Sequence, residues 1–319
     1  MSGDLLSWLQ AEEVAMDEHP ILVGYDGATG SGAALRWALS EAARRGLGVR
    51  LARVLDLPRG SAPFAARASG IEAHMLDEAK VALDKVGSEA TTELHGAVPI
   101  TTVALPGSVI DTLCEQSGEA SMVVLGSRGM GGFAGLLLGS VSVAVAAHAH
   151  SPVVVVRENM SAAPGGPVIV GVDDSDEARL AVEFAFAEAH ARQAALEAVR
   201  AVPPPQRVTG RAAEAGGEAP EDLLETALRG CRARYPAVPV TSRVLPGSPG
   251  QVLAGASRGA QLLVVGSRGR GGFHGLVLGS VSQQVLHRAL CPVAVVRRYA
   301  AAAAYAGAAQ LTDKPDTPR

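Results

Sequence analysis

The sequence repeats itself across most of its length. Residues 20–26, PILVGYD, return as residues 167–173, PVIVGVD, and residues 124–129, VLGSRG, return as residues 264–269, VVGSRG. Each copy has the length of a whole domain and is too long for a solenoid unit. We therefore predict two tandem domains, at residues 19–160 and 165–299, between an N-terminal extension at residues 1–18 and a disordered C-terminal tail at residues 300–319.

Both copies contain short apolar runs that are continuous rather than alternating. Such runs are typical of strands that are buried on both faces of a parallel sheet. The intervening helical patterns predict an α/β fold with two doubly wound domains, each a five-stranded parallel sheet of order 3-2-1-4-5 with flanking helices. The predicted strands are 20–25, 49–55, 100–105, 121–126 and 152–157, then 167–172, 196–202, 239–245, 261–266 and 292–297, and the first copy's helices are 31–45, 71–90, 108–117 and 140–149.

A glycine-rich spacing follows the fourth strand of each copy. It reads Gly126-x2-Gly129-x9-Gly139-Ser140 and recurs in the second copy. Ligands of open α/β sheets bind outside the carboxyl ends of the strands, and glycine lets the backbone approach them closely. We expect Ser140 to be the N-cap of the next helix, whose free N–H groups suit a phosphate. The alternative is that shared descent preserved the spacing for folding alone.

An aspartate ends the first strand of each copy. Asp26 and Asp173 follow apolar runs, and in the predicted strand order the first and fourth strands flank the crevice. A carboxylate at that point can accept hydrogen bonds from a ribose or an adenine. The alternative is that each aspartate only caps the helix that follows it.

Together these motifs resemble the universal stress protein family in its ATP-binding subclass, over residues 19–158 and 165–298. The resemblance implies a five-stranded parallel sheet, one ATP per domain and pairing through the fifth strands, either within the chain or in a homodimer. It implies nucleotide contacts from Tyr25, Asp26, Gly27, Val54, Gly126, Arg128, Gly129, Gly139, Ser140 and Val141, and in the second copy from Val172, Asp173, Asp174, Ala201, Gly266, Arg268, Gly269, Gly279, Ser280 and Val281.

Two features of the loops leave alternatives open. Asp174 stands where the family usually has glycine, and its carboxylate could repel a phosphate or help to hold a divalent metal. Arg128 and Arg268 are suited to bidentate phosphate contact, and they could equally be solvated loop arginines.

The composition limits the classes of binding partner that we expect. A net charge of −4 and a pI of about 6.1 do not favour a partner that is held by a basic patch, so we expect no nucleic acid and no membrane. The three cysteines form no CxxC pair, and the N-terminus lacks a basic signal-peptide region, so a cytoplasmic protein is expected. The scarcity of lysine beside abundant alanine, glycine and arginine suggests a bacterial source.

Three functions are compatible with these residues. The sequence lacks the Walker A and HExxH motifs, so nothing in it demands an enzyme. The favoured hypothesis is a nucleotide-responsive regulator of stress or dormancy that binds ATP, with or without Mg²⁺. The second is a slow ATPase or phosphotransferase in which Asp26 or Asp173 helps to hold a metal near the Ser140 or Ser280 hydroxyl. The third is a protein-interaction module without nucleotide.

Overall fold

The computed structural model describes residues 19–56, 65–129, 138–158, 163, 165–204, 219–270 and 278–298. The predicted N-terminal extension and C-terminal tail lie outside these residues. The domain boundaries therefore stay a prediction.

The first copy alternates strands and helices as predicted. Its strands begin and end within one or two residues of the predicted bounds, whereas the helix predicted at 71–90 is longer at both ends. The elements are β1 (Ile21–Gly24), α1 (Thr29–Arg45), β2 (Val49–Leu55), α2 (Ala65–Glu93), β3 (Ile100–Pro106), α3 (Val109–Gln116), a 3-10 turn (Ser117–Glu119), β4 (Met122–Gly126), α4 (Ser140–His148) and β5 (Val153–Val156).

The second copy repeats this order. Its second helix is shorter than its counterpart, with 15 residues against 29. The elements are β6 (Val168–Gly171), α5 (Asp176–Ala191), β7 (Leu196–Val202), α6 (Pro220–Arg234), β8 (Val240–Pro246), α7 (Pro249–Ala256), β9 (Leu262–Gly266), α8 (Ser280–Arg288) and β10 (Val293–Val296).

All ten strands form one sheet, in the order β3-β2-β1-β4-β5-β10-β9-β6-β7-β8. Each half therefore has the predicted order 3-2-1-4-5 with parallel neighbours. The halves join through their fifth strands, β5 and β10, which pair antiparallel within the chain. Val154 lies opposite Ala294, its own counterpart in the second copy, so a pseudo-twofold axis passes between these two residues.

The central strands are apolar because helices cover both faces of the sheet. Successive side chains of a strand point to opposite faces, so Val23 packs under α1 and α2 while Leu22 packs under α3 and α4. In the second half, α5 and α6 lie on the first of these faces, and α7 and α8 lie on the other. No helix within the described ranges is both long enough and apolar enough to cross a membrane.

A buried ring of charges links α1 and α5 across the junction of the halves. Glu41 and Glu188 occupy the same position in the two copies, and both side chains are fully buried. Arg45 and Arg192 each form ion pairs with both glutamates. The guanidinium of Arg192 also lies 5.6 Å from the centre of the Trp37 ring. We call this set of four charged residues the seam ring.

Candidate functional site

The loops after β1 and β4 meet at the point where the strand order reverses. The carboxylate of Asp26 lies so close to Gly129 that a Cβ atom on this glycine would overlap Asp26 Oδ2. Asp173 stands in the same relation to Gly269 in the second copy. The structure thus brings together the aspartates and glycines that the sequence singled out, one pair on each crevice.

Neither aspartate is the cap of the helix that follows it. Asp26 Oδ1 accepts a hydrogen bond from the backbone N–H of Ala28 at 3.0 Å, and Ala28 is the N-cap of α1. Asp173 Oδ1 accepts from Ser175 N at 3.0 Å, and Ser175 caps α5 through Ala178 N at 3.1 Å. One oxygen of each carboxylate therefore orders the turn, and the other faces the opposite loop.

Gly126 and Gly30 allow the start of α1 to pack against the end of β4. A Cβ atom on Gly126 would lie 2.5 Å from the carbonyl carbon of Gly30, and one on Gly30 would lie 2.6 Å from the carbonyl oxygen of Arg128. No side chain fits in such a backbone contact, so glycine at these two positions is required by packing.

Helix α4 begins one residue earlier than an N-cap at Ser140 would place it. Its N-cap is Gly139, which donates from its N–H to the Ser127 carbonyl at 2.7 Å, and Ser140 is the first helical residue. The first helical bond runs from Val143 N to Gly139 O, so the N–H groups of residues 140–142 have no helical acceptor. They form the positive end of the helix dipole. In α8, Gly279 caps and Ser280 begins the helix in the same way.

Sequence reasoning missed two serines that position these helices. The buried hydroxyl of Ser142 donates to the carbonyl of Gly126 at 2.7 Å, and Ser282 does the same to Gly266. Each bond fixes the first helical turn against the end of the fourth strand. The repeated Ser-Val-Ser at residues 140–142 and 280–282 was the available signal.

Four further residues predicted to contact the nucleotide lie at or just after the carboxyl ends of the first two strands of each copy. Tyr25 and Val172 directly precede the aspartates, and both are held by hydrogen bonds from their N–H groups to the second strand of their copy. Val54 and Ala201 lie partly buried near the carboxyl ends of β2 and β7. Each crevice thus has apolar side chains at its β1–β2 or β6–β7 edge.

The loop arginines differ in their surroundings. Arg128 Nη2 lies 3.8 Å from Glu158 Oε2, and both side chains are partly exposed. Arg268 is exposed and has no ion pair with a residue that the structure describes. The counterpart of Glu158 in the second copy is Arg298, so the second loop lacks this neighbouring carboxylate.

Asp174 is neutralised by two arginines. Arg200 donates to it in a bidentate pair at 2.7 and 3.0 Å, and Arg270 Nη1 lies 2.7 Å from Asp174 Oδ2. The hydrogen bonds from Arg200 lower the pKa of Asp174 and outweigh its partial burial. Within the described ranges, no group of three or more His, Cys, Asp and Glu side chains could hold a metal ion.

The sequence model described as the Universal stress protein family matches residues 18–157 and 166–297. A universal stress protein of Mycolicibacterium smegmatis is 38% identical over 299 residues, which cover 88% of this chain and 97% of that protein. One from Mycobacterium tuberculosis H37Rv is 37% identical over 308 residues, which cover 87% of this chain and 94% of the relative.

Among solved structures, the crystal structure of a universal stress protein from Archaeoglobus fulgidus DSM 4304 matches with a TM-score of 0.65 at 23% identity. The match covers 88% of this chain and 99% of that chain. The two chains therefore share one fold over nearly their whole length.

Proposed function

Because this chain belongs to the universal stress protein family, we propose that it binds one ATP in each crevice and acts as a nucleotide-responsive regulator of stress or dormancy. One observation carries the proposal. In both copies a carboxylate at the end of the first strand faces a glycine of the loop that leads to a helix N-terminus without a side-chain cap.

The two ends of such a crevice suit the two ends of a nucleotide. The carboxylate of Asp26 or Asp173 can accept hydrogen bonds from ribose hydroxyls or base amines, beside the apolar side chain of Val54 or Ala201. The helix N–H groups of residues 140–142 or 280–282 can donate to phosphate oxygens. Arg128 and Arg268 add an exposed positive charge on the same loops.

Mg²⁺ would depend mainly on the nucleotide itself. This ion usually keeps several waters and is held by phosphates and one or two carboxylates. In the first crevice Asp26 is the carboxylate at hand, and its Oδ1 already accepts from Ala28 N. In the second, both oxygens of Asp174 are engaged by arginines.

Binding is favoured over turnover by the residues of the loops. No lysine occurs between Gly126 and Ser140 or between Gly266 and Ser280. The side chains of Ser140 and Ser280 are exposed. We propose, therefore, that bound ATP acts as a signal rather than as a substrate.

The first test is the nucleotide content of the purified full-length chain. The protein is denatured, the released small molecules are identified by mass spectrometry, and nucleotide-free protein is titrated with ATP by calorimetry. We expect about two ATP per chain, one for each crevice. Release of mainly ADP or AMP would instead support a slow ATPase. If no nucleotide is released and added ATP gives no heat, the proposal is wrong and an interaction module becomes the better explanation.

A further inference from the structure

Three strands of the second half are tied together at the mouth of their crevice. Asp174 follows β6, Arg200 lies on β7 and Arg270 lies in the loop after β9, and the carboxylate of Asp174 contacts both arginines. The backbone N–H of Arg270 also donates to Asp173 Oδ2 at 3.1 Å. We call the pair Asp174–Arg270 the clasp.

The first copy has neither residue of the clasp. Gly27 occupies the position of Asp174, and Met130 occupies the position of Arg270, so the acid and the base are absent together. Arg53, the counterpart of Arg200, has no carboxylate partner among the described residues. Gly27 has a φ of +90°, which Asp174 does not share, so the two loops also differ in backbone conformation. The two crevices are therefore chemically different.

We propose that Asp174 is a specificity residue of the second crevice. Its carboxylate pairs with Arg270, the cation that a nucleotide phosphate would otherwise contact. A phosphate therefore binds only by displacing Asp174 from Arg270. The inference rests on the proposed function, because it assumes a nucleotide in this crevice. It predicts that the second crevice discriminates against phosphate charge more strongly than the first.

Exposure decides which arginine exchanges partners. The Arg200 side chain is 7% exposed and its bidentate pair with Asp174 is held on the strand, whereas the Arg270 side chain is 64% exposed. An exposed ion pair is weak and easily exchanged, and a phosphate is a stronger guanidinium acceptor than one carboxylate oxygen. Arg270 is thus the group that turns to the ligand, and Arg200 keeps Asp174 compensated while it does so.

The test isolates the second crevice and compares a charged ligand with a neutral one. In a chain that carries Gly139→Val to silence the first crevice, binding of ATP and of adenosine is measured by calorimetry with and without Asp174→Asn. We expect Asp174→Asn to tighten ATP binding about tenfold, the ratio that corresponds to ~1.4 kcal/mol, and to leave adenosine binding unchanged. Asp176→Asn is the matched control, since Asp176 pairs with the exposed Arg179 on α5 and not with the clasp.

A second variant keeps the buried Arg200–Asp174 pair intact. Arg270→Met restores the residue type of the first copy and should weaken ATP binding about tenfold or more, because the exposed cation that would receive the phosphates is then missing. Unchanged or weaker ATP binding in Asp174→Asn, or equal changes for ATP and adenosine, would overturn the inference. A different result would overturn the proposed function. In that case neither ATP nor adenosine binds to the Gly139→Val chain, and neither binds to a chain that carries Gly279→Val instead.

Discussion

Arg192 of the second copy donates a hydrogen bond to Glu41 of the first, with 2.7 Å between Nη2 and Oε2. The contact crosses the junction of the halves, and its side chains are 2% and 0% exposed. The first two predictions follow from this buried pair, because an ion that loses its partner away from water is costly.

Replacement of Glu41 by Gln should lower the free energy of unfolding by about 3 kcal/mol, since Arg45 and Arg192 then lose half of their buried negative charge. The measurement is urea denaturation followed by circular dichroism. The control is Glu78→Gln, which changes an exposed partner of His74 on α2 and should cost less than about 0.5 kcal/mol. A similar effect for both variants would mean that the seam ring contributes nothing beyond a surface pair.

The contribution of Glu41 should fade in acid. Burial alone would raise the pKa of Glu41, but Arg45 and Arg192 outweigh it and lower the pKa below the ordinary glutamate value. A lowered folded-state pKa gives stability that is fully present above the unfolded-state value of about 4.3 and is lost as the pH falls through the folded-state value. The stability difference between wild type and Glu41→Gln should thus be constant from pH 8 to about pH 5 and shrink below about pH 4. A difference that persists undiminished at pH 3 would contradict this assignment.

Each aspartate should serve its own crevice. Asp26→Ala removes the carboxylate that faces Gly129 and should halve the ATP stoichiometry, and Asp173→Ala should do the same from the other side. Stoichiometry is read from calorimetric titration of nucleotide-free protein. Asp77→Ala, on the exposed face of α2, should leave it unchanged. If both aspartate variants still bind the wild-type number of ATP molecules per chain, these residues are not part of the nucleotide site.

The double variant Gly139→Val with Gly279→Val should abolish ATP binding and leave the sheet folded. Both glycines lie at a loop–helix junction with negative φ, and a Cβ atom on either would come no closer than 3.3 Å to a neighbour. The added branches lie beside the helix N–H groups that are proposed to receive phosphate. ATP binding and the thermal midpoint are measured together, and retained affinity would exclude these helix ends as the phosphate site.

Ser142→Ala should weaken both the fold and the site. The loss of its bond to the Gly126 carbonyl costs about 1–2 kcal/mol, because a buried acceptor is left unpaired. Freed from this bond, the first turn of α4 no longer holds its N–H groups in place, so ATP affinity should fall several-fold. Ser88→Ala is the control, since that hydroxyl is exposed and bonds only to Asp84 of its own helix. If the variant is less stable but binds ATP with unchanged affinity, the role of Ser142 is purely structural.

Local patterns predicted the strands well because burial on both faces leaves a continuous apolar run. Val153–Val156 and Val293–Val296 are such runs, and both are strands within one residue of the prediction. The meeting of Asp26 with Gly129 followed from the strand order, since the crevice of a doubly wound sheet lies between the first and fourth strands.

Long-range pairing was not predictable in the same way. Nothing near Glu41 in the sequence says that its partner is Arg192, and nothing near Asp174 points to Arg200 and Arg270. These contacts depend on how the strands and the two halves are placed. The predicted N-cap of α4 was wrong by only one residue. Glycine and serine are both acceptable at an N-cap, and only the bond from Gly139 N to Ser127 O decides between them.

The antiparallel pairing of Val154 with Ala294 places two copies of one ancestral surface against each other inside a single chain. In a dimer of identical subunits, every substitution appears twice, once on each side of the axis. Here a duplicated gene encodes the two sides separately, so each can change alone. Valine faces alanine at the axis, and only the second crevice has the aspartate and the arginine of the clasp. Covalent linkage has thus released the two halves from symmetry, so selection can act on one crevice while the other is conserved.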